Sequence, residues 1–358
     1  MKPGYRVLLH RDALIRAEAY LGELRSGTAM GGRLRRILDK VVLELLSVEQ
    51  FLELLVATKP PQIFAESAVC GDGSDWNQVE LRILGDIVVA VPVVAFDNGL
   101  HRKPDVHPTP IPATLLFVPG ALLANGRGHP PVDSAEVTRN GEIDAAGYAD
   151  LYARRLLPAL AYAHVTSGAR ARRALVTVPG LGCGQFAGRF SGRLGSMLDE
   201  TLQSLLRRHA RELGSIAAIY FDPYSECTNY RAKFHSVEYL VRPLTQGNMH
   251  KPQLCPPSAY AETGDDFADC DLYSVVAWDH VSWPGNDFYE GARATDDGVK
   301  AAATDSMMAL TGVTGTYDPR SYEYRPPPPF KTWAGVVASR KLRMVVAGNL
   351  EIYPPHRE

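Results

Sequence analysis

Apolar positions recur at intervals of three and four through "DALIRAEAYLGELRSG" and "MGGRLRRILDKVVLELLSVEQFLELLVATK". Residues 12–57 are therefore expected to be helical, with Pro60 and Pro61 stopping the second helix. This gives an N-terminal helical extension, residues 1–62, that packs on the main domain or offers a partner surface; stripes of this kind are usually core faces. After residue 62 the pattern changes. "DIVVAVPVVAF" (86–96) and "ATLLFVPGALL" (113–123) are apolar runs of strand length around a stretch rich in turn formers, "DNGLHRKPDVHPTPIP". A helical pattern at 145–165 follows, with Pro158 expected to kink it, then a strand "RALVTVPG" and a long amphipathic helix "SGRLGSMLDETLQSLLRRHAREL". Further strands are expected at "SIAAIYFDPY", "SVEYLVRPL" and "LYSVVAWD", and the last clear helix starts near Asp296. In the tail, "RPPPPF" (325–330) is a stiff extended segment and "KLRMVVAGNLEIY" reads as one or two strands. Apolar strands alternating with helices predict a three-layer α/β/α domain with a mixed sheet over residues 63–358.

Composition narrows the class. A chain of 358 residues, 46% hydrophobic and 22% charged, reads as a soluble globular protein with a sizeable core. Thirty-eight basic and 40 acidic residues leave a net charge of −2, which argues against a broad nucleic-acid footprint. Cys70, Cys183, Cys227, Cys255 and Cys270 are scattered, with no C-x-x-C pair, so a reducing compartment is expected rather than a disulfide framework or a cysteine-rich zinc site. No apolar run approaches the ~20 residues of a membrane span, so no membrane partner is expected. The N-terminus carries charges throughout and lacks a signal-peptide core, which points to the cytoplasm, although secretion by a signal-less route would leave no mark.

Two loops carry the candidate chemistry. In "VTVPGLGCGQFAGRFSG" (176–192) an apolar strand runs into Gly180, Gly182, Gly184 and Gly188, and a helix follows. Glycines here let the backbone turn tightly and aim N–H groups at an anion such as a pyrophosphate; a purely structural strand-to-helix turn is the alternative. The loop has neither the Lys-Ser/Thr ending of an NTPase loop nor the G-x-G-x-x-G of a dinucleotide site. Phe186 could face a sugar or base, or serve the core. Cys183 is a small packing residue or a nucleophile without a paired histidine.

The second loop is "VVAWDHVSWPGNDFYEGARATDDGVKAAATDSM" (276–308). It places Asp279 at a strand end and Asp287, Asp296 and Asp297 within nineteen residues of it. Thr295 or Asp296 is the expected helix cap, so Asp296 is assigned to starting the helix. Brought together, the remaining carboxylates would raise at least one pKa, which suits acid or base work at a glycosidic carbon. A divalent cation held by the same oxygens is the rival, although Asp-x-Asp-x-Asp spacing is absent.

"PGLGCGQFAG" (179–188) resembles the diphosphate-binding loop of macrodomains, especially the glycohydrolase branch, and the aspartate spacing resembles the catalytic region of the MavL type of macrodomain. "DVHPTPIPATLLFVPGALL" is family-like without an assigned role, and Asp86 in "GDI" resembles the adenine-binding aspartate of many macrodomains. The resemblance, over residues ~65 to ~350, implies a macrodomain-like fold and an ADP-ribosylarginine hydrolase needing no cofactor or metal, with an ADP-ribosylated protein, ubiquitin in the type case, as partner. Carried over residue by residue, it implies that Asp279, Asp287 and Asp297 are catalytic. It also implies that Gly180, Leu181, Gly182, Cys183, Gly184, Gln185 and Phe186, together with Asp296, bind ADP-ribose. Two departures stand out: the acidic loop follows the diphosphate loop, where macrodomains usually put an asparagine-bearing loop before it, and the tandem glutamates of polymer-cleaving relatives are missing. The rival functions are a non-catalytic ADP-ribose reader and a metal-dependent hydrolase of a free nucleotide.

Overall fold

The computed structural model describes residues 4–63 and 68–355; residues 1–3, 64–67 and 356–358, which fall within the two expected domains, lie outside the described residues. Nine strands form one mixed sheet. They are β1 (Arg6–His10), β2 (Ile87–Asp97), β3 (Val106–Pro119), β4 (Arg173–Pro179), β5 (Ile216–Asp222), β6 (Tyr230–Phe234), β7 (Val237–Val241), β8 (Cys270–Trp278) and β9 (Leu350–Tyr353), in the spatial order β9-β1-β2-β3-β8-β4-β5-β7-β6. The strand β8 comes late in the chain yet lies between β3 and β4, parallel to both.

Helices cover both faces. On one side lie α1 (Arg11–Arg25), α2 (Gly32–Leu38), α3 (Val48–Val56), α4 (Gln78–Gly85), and, from the C-terminal third, α7 (Asp296–Ala303), α8 (Ser306–Thr311) and α9 (Trp333–Arg340). On the other lie α5 (Ala145–Gly168) and α6 (Leu194–His209). Alternation along the strands feeds the two cores. In β8, Leu272, Val276 and Trp278 join the first, whereas Tyr273 and Val275 join the second. This is the expected three-layer α/β/α architecture. No helix among the described residues is long and apolar enough to cross a membrane.

Several elements differ from the periodicity reading. Residues 6–10 are a strand inside the sheet, paired with β2 and β9, so the N-terminal segment supplies more than helices. The second expected helix is broken into α2, a short 3-10 turn and α3, because Ser47 and Gln50 form a capping box that starts a new helix. β3 begins at Val106, inside the stretch read as turns, and α5 runs through Pro158 without ending. The tail yields one strand, β9, and a helix, α9, capped by Thr332.

Behind the strand ends lies a buried ion network. Asp86 accepts from Arg16 (3.0 Å), Arg154 (3.2 Å) and Arg155 (3.4 Å). Arg155 also donates to Asp133 (2.8 and 3.1 Å) and to the Gly120 carbonyl (3.0 Å), and His280 lies 3.0 Å from Asp133. Burial favours neutral Asp133, yet the charges of Arg155 and His280 hold its carboxyl below the usual carboxylate range. Asp133 in turn accepts from Leu122 N–H (2.7 Å), which fixes the loop after β3. Replacing Arg155 with Met leaves two buried carboxylates underpaired. The expected cost is about 3–5 kcal/mol, to be read as a lower urea midpoint at unchanged m-value.

Candidate functional site

The strands β4 and β8 run parallel as neighbours, so the loops that leave Pro179 and Trp278 emerge at the same sheet edge. Between them is a cavity of about 290 Å³. Gly180, Gly182, Gly184, Gln185 and Phe186 line one wall, and Trp278, Asp279, Asn286, Thr295, Asp296 and Asp297 line the other.

The glycine wall is shaped by a backbone-to-backbone contact. A Cβ on Gly120 would sit 2.5 Å from Gly182 N, and Gly182 itself has φ +70° with Ala121 N 2.8 Å from where its Cβ would be. Only glycine allows the loops after β3 and β4 to approach this closely. Tyr152 on α5 locks the contact: its hydroxyl accepts from Ala121 N–H (3.0 Å) and donates to the Leu181 carbonyl (2.7 Å). Leu123 N–H donates to the Phe186 carbonyl (2.8 Å). The N–H groups of Gly182 and Gly184 have no acceptor among the described residues, which leaves them able to meet an anion.

The acidic wall divides by hydrogen bonding. Asp279 accepts from Val281 N–H and Ser282 N–H (2.7 Å each), from the Ser282 hydroxyl, and from Asn286 Nδ2 (3.0 Å). All four partners are donors, so the carboxylate both closes its own turn and faces the cavity. Asp287 is fully buried and outside the cavity lining. It accepts from Ala294 N–H (2.8 Å), Thr295 N–H (3.1 Å) and the Thr295 hydroxyl, and so anchors the start of α7.

Thr295 is the helix cap, accepting from Gly298 N–H (3.1 Å). The assignment of Asp296 to capping is corrected: it occupies the first helical position, accepts from Ala277 N–H (2.7 Å), pairs with Lys300 at 2.8 Å, and faces the cavity. Lys300 also donates to the Gln253 side chain and the Val275 carbonyl. Asp297 is buried; one oxygen lies 2.6 Å from Thr295 Oγ1, whose single proton also faces Asp287, and the other has no partner. Burial first, and then the nearby charge of Asp279, push the Asp297 carboxyl well above the usual carboxylate range.

The structure thus brings Asp279, Asp296 and Asp297 together with Gly180, Gly182, Gly184, Gln185 and Phe186, and leaves Leu181, Cys183 and Asp287 behind the wall. Leu181 belongs to the α5 core, and Cys183 turns its sulfur toward the Leu181 carbonyl (3.6 Å), where burial pushes its thiol pKa far up. Asp86 does not line the cavity, its oxygens being spent on three arginines. Asn229 bonds Gln246 and Asn248 and likewise lies outside the lining. The sequence reading missed Asn286 and Lys300. The i,i+4 spacing of Asp296 and Lys300 on one helix face was the available signal for the second; Asn286 had none, because its partners are Asp279 and distant Ile63.

The three-layer sandwich, with a glycine loop leaving a central parallel strand, is the fold that the resemblance to macrodomains implies. The family model described as macrodomain effector MavL matches residues 5–330, and the chain belongs to this family. A comparison with curated proteins returned no match. Family membership gives the protein an ADP-ribose-related macrodomain function.

Gly298 tests how firmly Asp287 is held. A Cβ there would lie 1.7 Å from Asp287 Oδ1, whose carboxylate is pinned by three donors. Gly298→Ala is expected to cost at least ~1–3 kcal/mol. Gly22→Ala, inside α1 with nothing within 4 Å, should leave the thermal midpoint unchanged or slightly raised in the same scan.

Proposed function

We propose that this protein is a hydrolase that removes ADP-ribose from ADP-ribosylated arginine on a protein, with ubiquitin as a candidate substrate. The observation that carries the reading is the unpartnered, buried Asp297 oxygen in a cavity whose opposite wall is the glycine loop. A carboxyl with a raised pKa can arrive protonated and donate near neutral pH. In this reading the amides around Gly182 and Gly184 hold the diphosphate, Phe186 lies near the distal ribose, and Asp296, fixed by Lys300, accepts from ribose hydroxyls.

Asp297 gives its proton to the departing guanidino nitrogen as the bond to the anomeric carbon breaks. Asp279, a buried acceptor beside it, offsets the positive charge developing on the sugar. Water adds to that carbon and its proton returns to Asp297, so one water is consumed, charge balances, and the arginine leaves as guanidinium. Asp287 acts through Thr295, holding the helix that carries Asp296 and Asp297.

The test is ADP-ribosyl-arginine ubiquitin incubated with the protein, with and without EDTA, and released ADP-ribose followed by mass spectrometry. Asp297→Asn should slow release by ~10²–10⁴-fold while calorimetry shows ADP-ribose still bound. Turnover should fall as pH rises through the raised Asp297 pKa, because only the protonated form donates. Binding without release by the unmodified protein would establish a reader instead, and release abolished by EDTA would establish a metal enzyme. Undiminished release by Asp297→Asn would refute this assignment of the acid.

A further inference from the structure

A second cavity, of about 330 Å³, shares no lining residue with the first. Arg16 from α1, Val79 and Arg82 from α4, and Ala135 and Glu136 from the short helix Ser134–Val137 line it. Its charges do not balance. Arg16 spends Nη1 on Asp86 (3.0 Å), while its Nη2 stands 3.7 Å from Glu136, too far for a hydrogen bond. Glu136 is paired with Arg154 from α5, and Arg154 and Arg155 both donate to Asp86. Asp133 is taken by Arg155 and His280. Glu80, the other acid of α4, accepts from the Tyr20 hydroxyl (2.9 Å) and Gly31 N–H (2.8 Å). Arg82 is what remains. Among the described residues it has no hydrogen bond or ion pair, and its Nε–H is buried without an acceptor. The guanidinium groups of Arg16, Arg82, Arg154 and Arg155 thus meet the carboxylates of Asp86, Asp133 and Glu136, and one positive charge is left over.

A buried N–H without an acceptor is destabilising, and nothing within the described protein relieves it. The Nε edge of a guanidinium presents two parallel donors, which match the two oxygens of a carboxylate. The lining selects among anions. Glu136 repels a second negative charge, so a monoanion suits the cavity better than a phosphate dianion. Val79 and Ala135 offer apolar contact to a short carbon stem.

We propose that this cavity is a second binding site, which takes a carboxylate on a short apolar stem between the guanidinium of Arg82 and the free Nη2 of Arg16. An acidic side chain of a protein and a free small acid share that chemistry. The site does not depend on the hydrolase reading.

Nitrogen-15 NMR of the full chain follows the arginine Nε–H groups directly. Butyrate, titrated at constant ionic strength against chloride, should shift the Arg82 Nε–H resonance saturably. Arg82→Gln breaks no contact within the protein, so its thermal midpoint should stay nearly unchanged while butyrate affinity falls about tenfold or more. Arg82→Lys keeps the charge without the paired donors, and its affinity should fall between the two. Inorganic phosphate above neutral pH should bind more weakly than butyrate. The α-amide of N-acetylglutamate distinguishes the sources: tighter binding than butyrate assigns the site to an acidic side chain, and weaker binding to a free small acid. A butyrate response no larger than that of chloride overturns the proposal, as does wild-type affinity in Arg82→Gln. Phosphate binding as tight as butyrate overturns the choice of a carboxylate. If Arg82→Gln does not fold, Arg82→Lys decides, and wild-type affinity in it is the overturning result. No turnover enters these measurements, so they stand or fall apart from the release of ADP-ribose.

Discussion

The insertion of β8 between β3 and β4, parallel to both, is the constraint on which the rest of the structure depends. Its register pairs Leu272 with Ala113 and Trp278 with Pro119 on one side, and Cys270 with Arg173 on the other. Parallel strands send their following loops off the same edge, so three loops far apart in sequence meet there. One residue of slip would exchange Val276 and Trp278 with Val275 and Tyr273 between the two cores, so apolar burial itself fixes which loops face each other. Helix α5 then secures the edge from behind: Tyr152 holds the glycine loop to the loop after β3, and Arg155 holds that loop to Asp133.

The N-terminal segment belongs to the same construction. It supplies β1, wedged between β2 and β9, and returns as Lys59, Pro60, Pro61 and Ile63 beneath the acidic loop. Asn286 is the joint, because one amide satisfies the Ile63 backbone and Asp279 together. A turn of this kind could not hold a buried carboxylate by its own backbone alone, since four donors converge on Asp279. Perturbing the packing of α3 therefore reaches the cavity wall through covalent continuity and a handful of hydrogen bonds.

What was legible in the sequence follows the range of the physics involved. Long apolar runs such as "LYSVVAWD" and "RALVTVPG" announce buried strands because both faces must be covered, and the glycine spacing after β4 announces a close backbone approach. β1 was illegible because "RVLLH" is five residues flanked by charge and gains its burial only from distant β2 and β9. β6, "YRAKF", alternates charge on the sheet edge, where Arg231 pairs with Glu238 and Asp265. The cap of α7 was narrowed locally to Thr295 or Asp296, but the choice of Asp296 was wrong, because its carboxylate is taken by Ala277 N–H and Lys300. The meeting of Lys59 with the Trp278 ring was not legible at all: the two lie more than two hundred residues apart, and no local pattern encodes it.

The four aspartates of the acidic loop show why hydrogen-bond accounting separates roles that composition cannot. Asp279 and Asp287 have donors on both oxygens, and Asp296 has a backbone amide and a lysine. For these three the anion is repaid in place. Asp297 has only a share of the Thr295 hydroxyl on one oxygen and nothing on the other, while three further carboxylates crowd it. Leaving a buried acceptor unmade costs ~1–3 kcal/mol, and ionising it there would cost more. A fold under pressure for stability alone would place an apolar side chain in that position, as the neighbouring Val299, Ala301 and Ala302 show the helix readily accepts. The chain keeps a carboxyl instead, opens it to a cavity, and surrounds it with charges that raise its proton affinity. That combination costs stability, and carboxyls with raised proton affinity beside a cavity cluster at functional sites.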